Sequence, residues 1–202
     1  MFLNPYKAIE RHQGNLPHWQ QEETMLFVTW RLQDSLPKAV VEKIQVRRTR
    51  WITTHPQPWD EPTFREYNRL FTLRIEDLLD DCHGSCLLRD PGNSTIVANA
   101  LLHFHTERYT LDTFVIMPNH VHVLLGPIGE NKLGDIIGSW KRFSSREINK
   151  ARGETGALWQ REAWDRLIRS QRHLDWTRQY ILKNPSNLPP SSYRLRQRAE
   201  EV

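Results

Sequence analysis

Two β-rich runs, Tyr109–Met117 and Val121–Leu125, flank a turn at Pro118-Asn119. A connection this short makes the two strands neighbours in one antiparallel sheet. The rest of the chain has to be arranged around that pair. Met25–Leu32 (MLFVTWRL) is a third β-rich run bounded by polar residues. Helices are expected at Lys38–Trp51 behind Pro37, and at Thr63–Asp81, where Phe64, Tyr67, Phe71, Ile75 and Leu78 recur at helical spacing. Further helices are expected at Ser94–His105 after the turn Asp90-Pro91-Gly92, at Leu133–Asn149, and at His173–Lys183, where Pro185 disfavours helical geometry at Asn184. His55–Pro62 is proline-rich and reads as a loop, and Leu158–Ile168 as an irregular, tryptophan-rich stretch. The lead-in, which includes Leu16–Trp19, reads as irregular, and the stretch from Pro189 as a polar tail. The order strand, helices, two adjacent strands, helix, helix predicts an α+β domain with an antiparallel sheet covered by helices.

At 202 residues the chain is long enough for one domain with a sizeable core. No apolar run approaches the roughly 20 residues needed to span a bilayer, and no basic region followed by an apolar stretch opens the chain. A cytoplasmic protein is therefore expected. Cys82 and Cys86, with His83 between them, amount to half a zinc site. With no second Cys/His pair following at a suitable distance, they read as ordinary thiols. The net charge of +4 is compatible with a polyanionic partner without requiring one. The arginine clusters 47/48/50, 166/169/172 and 194/196/198, each taken singly, are solvated helix faces.

Chemistry concentrates in Met117-Pro-Asn-His-Val-His-Val-Leu-Leu125. Alternate side chains of a strand share a face, so His120 and His122 point one way while Val121 and Val123 point to the core. Two imidazoles on a rigid strand are half a site for a divalent ion, whose oxygen ligands have to come from elsewhere. The other His-x-His pair, His103 and His105, falls at a helix end, where residues two apart diverge by about 200°. In the last helix Trp176, Tyr180 and Asn184 are spaced by four and line one face, beside a more buried stripe of Leu174, Thr177 and Ile181.

Pro118-Asn-His-Val-His122, Trp159-Gln-Arg-Glu-Ala-Trp-Asp-Arg-Leu-Ile-Arg169 and Tyr180-Ile-Leu-Lys-Asn-Pro185 occur in this order. Together they resemble the REP-associated tyrosine transposases, relatives of the single-tyrosine HUH transposases of insertion sequences. Phe27–Leu32 through Asp34–Pro37, and Gly84–Asp90, are similar to one branch of that family, and the resemblance spans roughly residues 16 to 188. After Asn184-Pro185, many relatives continue with Val and then Gly-Leu; here Ser186-Asn187-Leu188 follows. The resemblance implies a ferredoxin-like HUH domain over 23–188 with a helical insertion at about 52–92, a polar lead-in 1–22 and a polar tail 189–202. It implies that His120, His122 and Asn184 hold Mg2+ or Mn2+, a choice suited to mixed nitrogen and oxygen ligands. Tyr180 resembles the nucleophile that cleaves and rejoins single-stranded or hairpin DNA through a 5′-phosphotyrosine. Lys141, Arg142, Trp159, Arg161, Arg166 and Arg169 are the expected DNA contacts, and Trp164 is a second candidate for base stacking. No nucleotide cofactor and no membrane partner are implied, and a monomer is slightly favoured. The alternatives are a non-cleaving DNA- or RNA-binding regulator of the same fold and a metal-dependent nuclease that uses water.

Overall fold

The computed structural model of the chain describes residues 2–4, 10–13, 17–21, 24–56 and 59–198. Leu16 of the lead-in and residues 199–202 of the tail lie outside them, as does the side chain of Phe64. The described residues form two compact units, one of residues 1–33 and 87–202 and one of residues 34–86. The second unit takes in the first long helix as well, so it starts earlier than the insertion expected at about 52–92.

In the sheet-bearing unit, β1 (Glu10–Gln13) and β2 (Pro17–Gln20) form an antiparallel hairpin, where an irregular lead-in was expected. β3 (Leu26–Arg31) is buried along its whole length, the mark of an interior strand. The inserted unit follows β3 in sequence. It contains α1 (Lys38–Thr54), α2 (Glu61–Tyr67), a π-helical turn at Asn68–Thr72 and α3 (Leu73–Asp80). The single helix expected over Thr63–Asp81 is thus interrupted. A π turn shifts the helical phase, so the buried stripe runs Phe71, Ile75, Leu79, and Leu79 replaces the expected Leu78. Within this unit Trp51, Trp59, Tyr67 and Phe71 pack ring against ring, and Arg48 Nε donates to the Tyr67 hydroxyl at 2.6 Å.

α4 (Pro91–His103) starts earlier than expected because Asp90 is its N-cap, accepting the Asn93 N–H at 3.0 Å, with Pro91 in the first turn. Then come β4 (Tyr109–Ile116), β5 (His120–Pro127), α5 (Leu133–Arg152) and β6 (Trp164–Leu167). α6 (Gln171–Lys183), capped by Ser170, and β7 (Arg194–Arg196) complete the unit. β6 and β7 were not expected: the first lies in the stretch read as irregular, the second in the polar tail. Both are short edge strands, held by backbone pairing to β3 and β4.

The antiparallel sheet has the order β6-β3-β5-β4-β7. Its connectivity β3-α4-β4-β5-α5-β6 is the β-α-β-β-α-β chain order of the ferredoxin-like fold, as expected. One face carries Val28, Trp30, Phe114, Val121, Val123 and Leu125 against α4 and α5. The main anchor there is Trp140, which stacks on Trp30 and donates to the Tyr109 hydroxyl at 2.8 Å. The other face carries Phe27, Val115 and Leu124 against Leu174 and Ile181 of α6. His120 and His122 alternate with Val121 and Val123, so they stand on the α6 face.

Candidate active site

β5 pairs with β3 so that His120 faces Arg31 and His122 faces Thr29. Directly opposed residues in an antiparallel ladder share a face, which brings β3 side chains against both imidazoles. His120 and His122 are fully buried. Their Nε2 atoms lie 3.0 Å apart. His120 Nδ1 is 2.7 Å from Asn119 Oδ1, and His122 Nδ1 is 2.7 Å from Thr29 Oγ1.

These partners define a proton order. Asn119 Oδ1 only accepts, so His120 carries its proton on Nδ1 and accepts at Nε2. His122 then donates from Nε2 and accepts the Thr29 hydroxyl at Nδ1. Burial pushes the His120 pKa down to about 3. Burial, then the charges of His120 and Arg166, hold His122 well below the usual histidine range. Both rings are neutral at pH 7, the state in which imidazole binds a metal.

The pair fits a divalent ion. Two nitrogens bound at right angles to one ion at about 2.1 Å lie about 3.0 Å apart, which is the separation observed. Asn119 already holds His120 in the tautomer required. For His122 to bind an ion through Nε2, the proton would move to Nδ1 and the Thr29 hydroxyl would rotate from donor to acceptor, a change its single torsion permits. Thr29 and Asn119 stand in the positions from which outer partners orient ligand imidazoles in metal sites.

Tyr180 meets this centre edge-on. Its ring centroid is 5.4 Å from that of His122 and 5.9 Å from that of Phe27. Phe27 itself stacks on His122 at 5.4 Å. Asn184 caps the helix that carries Tyr180, with its N–H donating to the Tyr180 carbonyl and its side-chain oxygen buried. α6 is fastened to the sheet by an ion pair. Arg178 Nε and Nη2 donate to the two carboxylate oxygens of Asp112 at 2.8 and 2.6 Å. Asp112 sits where the β4–β5 register shifts between Leu111 and Thr113, and this bulge turns its carboxylate toward α6.

The expected DNA contacts divide. Arg166 stands across the β3–β6 ladder from Phe27, its guanidinium 5.0 Å from the Phe27 ring. That puts a cation beside the ring that stacks on His122. Arg169 is half-buried, and its N–H donates to His173 Nδ1 at 3.3 Å. Arg142 and Arg161 are exposed. Trp159 is a correction: it is 7% exposed, edge-on to Trp30, and donates from Nε1 to Ser144 Oγ at 3.0 Å. A ring packed into the core has no face left for a base. Lys141 is a second correction. Its ammonium donates to the carbonyls of Gln160, Arg161 and Glu162 at 3.0, 3.1 and 3.2 Å. All three of its protons are used to pin that loop rather than to meet a phosphate.

His105 Nδ1 accepts the Leu111 N–H at 3.1 Å, and His103 packs on Phe104, so the second histidine pair has structural roles. Among the described residues no cluster of three or more His, Cys, Asp or Glu side chains is arranged for a metal. A site at the histidine pair therefore draws further ligands from other groups, such as an amide. Sequence reasoning missed Thr29, Phe27 and Asp112. The alternation Phe27-Val-Thr-Trp-Arg31 places Phe27, Thr29 and Arg31 on one face, but it does not say which strand they oppose.

Residues 96–184 match the family model of the IS200-like transposases. The fold is similar to that of a REP-associated tyrosine transposase bound to a REP hairpin, at 15% identity and a TM-score of 0.51 over 87% of this chain and 74% of that one. A candidate transposase of Deinococcus radiodurans R1 is similar at 14% identity over 82% of this chain and 93% of that one, but its TM-score of 0.33 is too low to bear on the fold. No curated protein matches the chain. The stretch from α4 to the end of α6, which contains the histidine pair and Tyr180, is thus similar to the IS200-like transposases, and the fold is similar to that of a REP-associated tyrosine transposase.

Proposed function

We propose that this protein cleaves and rejoins single-stranded DNA, flanking or within hairpins, with Tyr180 as nucleophile. The observation that carries the reading is the tyrosine ring set edge-on against a neutral pair of imidazoles whose Nε2 atoms converge to 3.0 Å. His120, His122 and the Asn184 side chain would hold Mg2+ or Mn2+. The ion would supply Lewis-acid charge to the scissile phosphate.

The chain's own residues do the rest. Tyr180 Oη attacks phosphorus in line, the P–O3′ bond breaks, and a free 3′-OH leaves while the 5′-phosphate stays on the tyrosine. The phenolic proton passes to water at the partly exposed Tyr180 ring, and the departing 3′ oxygen takes up a proton from solvent. Because the phosphodiester energy is conserved in the adduct, a second 3′-OH reverses the step and joins strands without ATP. Arg166, whose guanidinium lies 5.0 Å from the Phe27 ring, would meet the phosphate charge.

The test is incubation of the protein with single-stranded DNA from around its own gene and Mn2+, resolved on a denaturing gel. A Tyr180-dependent protein–DNA adduct and a free 3′-OH are expected. His120→Ala abolishes both, and His105→Ala retains them. A Tyr180→Phe protein that still cuts at near wild-type rate makes the enzyme a water-using nuclease. Binding without cutting by the wild type makes it a regulator.

A further inference from the structure

Trp176 is 52% exposed, a large aromatic ring on the surface of α6. A large apolar ring in water is uncommon on a helix that has a buried stripe available to it. Its position gives the reason. The indole stacks on the Tyr180 ring with centroids 5.7 Å apart and planes 14° apart. Tyr180 in turn sits edge-on to His122. One side of the indole is thus taken by the tyrosine, and about half of the residue's surface is open to solvent.

The surroundings suit nucleic acid. Arg172 is exposed one turn before Trp176 on the same helix. His173 flanks the indole with its centroid 6.5 Å away. The one acidic residue of α6, Asp175, is engaged by Gln171 Nε2 at 2.8 Å and by Arg178 at 3.6 Å. An exposed flat ring one helical turn from an exposed arginine has the two parts by which single strands are held, an aromatic face on which bases stack and a cation that tracks the backbone.

We propose that Trp176 is a nucleobase platform: the base of a nucleotide flanking the scissile phosphate stacks on the indole face turned away from Tyr180. The column base–Trp176–Tyr180 then sets where along the strand the tyrosine hydroxyl meets phosphorus, which makes Trp176 a residue that positions the cut. Only the location of the cut rests on Tyr180 as nucleophile; the stacking itself does not.

The test separates the two. The full chain carrying Tyr180→Phe, in EDTA, is titrated with a hairpin oligonucleotide bearing a single-stranded tail, with 2-aminopurine walked through the tail. One position is expected to be quenched when Trp176 is present and unquenched in Trp176→Leu, while Trp176→Phe keeps most of the effect. Affinity should fall about 5- to 150-fold in Trp176→Leu. An abasic nucleotide at the quenched position should weaken the Trp176 protein by a similar factor and leave Trp176→Leu unchanged. A merely structural tryptophan would not produce that coupling. Equal quenching and equal abasic penalties with Trp176 and with Leu at this position, or no quenched position at all with Trp176 present, overturn the proposal. Cutting by Tyr180→Phe in Mn2+, with the quench intact, instead overturns the nucleophile and leaves the platform standing.

Discussion

The Asp112–Arg178 pair holds α6, and Tyr180 with it, against the bulge of β4, and its two partners differ in burial. The Asp112 side chain is 2% exposed, whereas Arg178 is 30% exposed. Arg178→Ala leaves a carboxylate in the protein interior without its cation. The Thr113 hydroxyl still donates to Asp112 at 3.0 Å, which offsets part of the loss. Uncompensated buried charges of this kind cost about 3–5 kcal/mol, and about 3 kcal/mol is expected here. Asp112→Asn is milder. The freed guanidinium is open to water and lies 3.6 Å from Asp175, which can take it over. Its loss is that of hydrogen bonds to a charged group, about 1–2 kcal/mol. The double variant Asp112→Asn/Arg178→Ala should sit close to Asp112→Asn alone, since it leaves no buried charge. Urea unfolding at pH 7, with midpoints and slopes compared, measures all three. If Asp112→Asn destabilises as much as Arg178→Ala, or the double variant is as unstable as Arg178→Ala, the carboxylate's burial does not control the pair and the argument fails.

Three further outcomes follow from the same structure. Thr29→Val keeps the shape of a buried side chain but removes the partner of His122 Nδ1; Mn2+ affinity by calorimetry should drop about 10- to 100-fold with the melting temperature nearly unchanged, and equal affinities would exclude Thr29 from the site. Trp159→Ala should cost about 3–5 kcal/mol in unfolding experiments, as for a core aromatic, while single-strand affinity of the folded protein stays within about twofold; a stable variant with weakened DNA binding would return Trp159 to the surface. Burial pushes the Lys141 pKa down to about 8, so between there and the unfolded value near 10.4 the unfolded chain binds more protons and stability from this group rises with pH. Lys141→Met should flatten that rise in unfolding curves taken from pH 7 to 10, and a wild-type difference that shrinks with falling pH in no part of this range would show that Lys141 does not titrate there.

Local rules were enough wherever a feature depends on near neighbours in the chain. Pro118-Asn119 between two β-rich runs determines the β4–β5 hairpin, and the two-residue period of a strand puts His120 and His122 on the face opposite Val121 and Val123. The helical repeat aligns Trp176, Tyr180 and Asn184 in the same way. What the periods do not contain is which distant surface each face meets. Thr29 reaches His122 from 93 residues away, and only the β3–β5 register decides that contact. β6 and β7 escape a reading by pattern because each has at most four residues, with charged or aromatic side chains and no apolar alternation, and exists through backbone bonds to a neighbour already in place. Tryptophan and lysine show the same limit. The resemblance makes Trp159 a base-stacking ring and Lys141 a DNA contact, but tertiary packing buries the first against Trp30 and engages the second with three carbonyls. Side-chain chemistry is written in the sequence; whether a side chain faces DNA or the core is settled by long-range packing, whose free energy no local window holds.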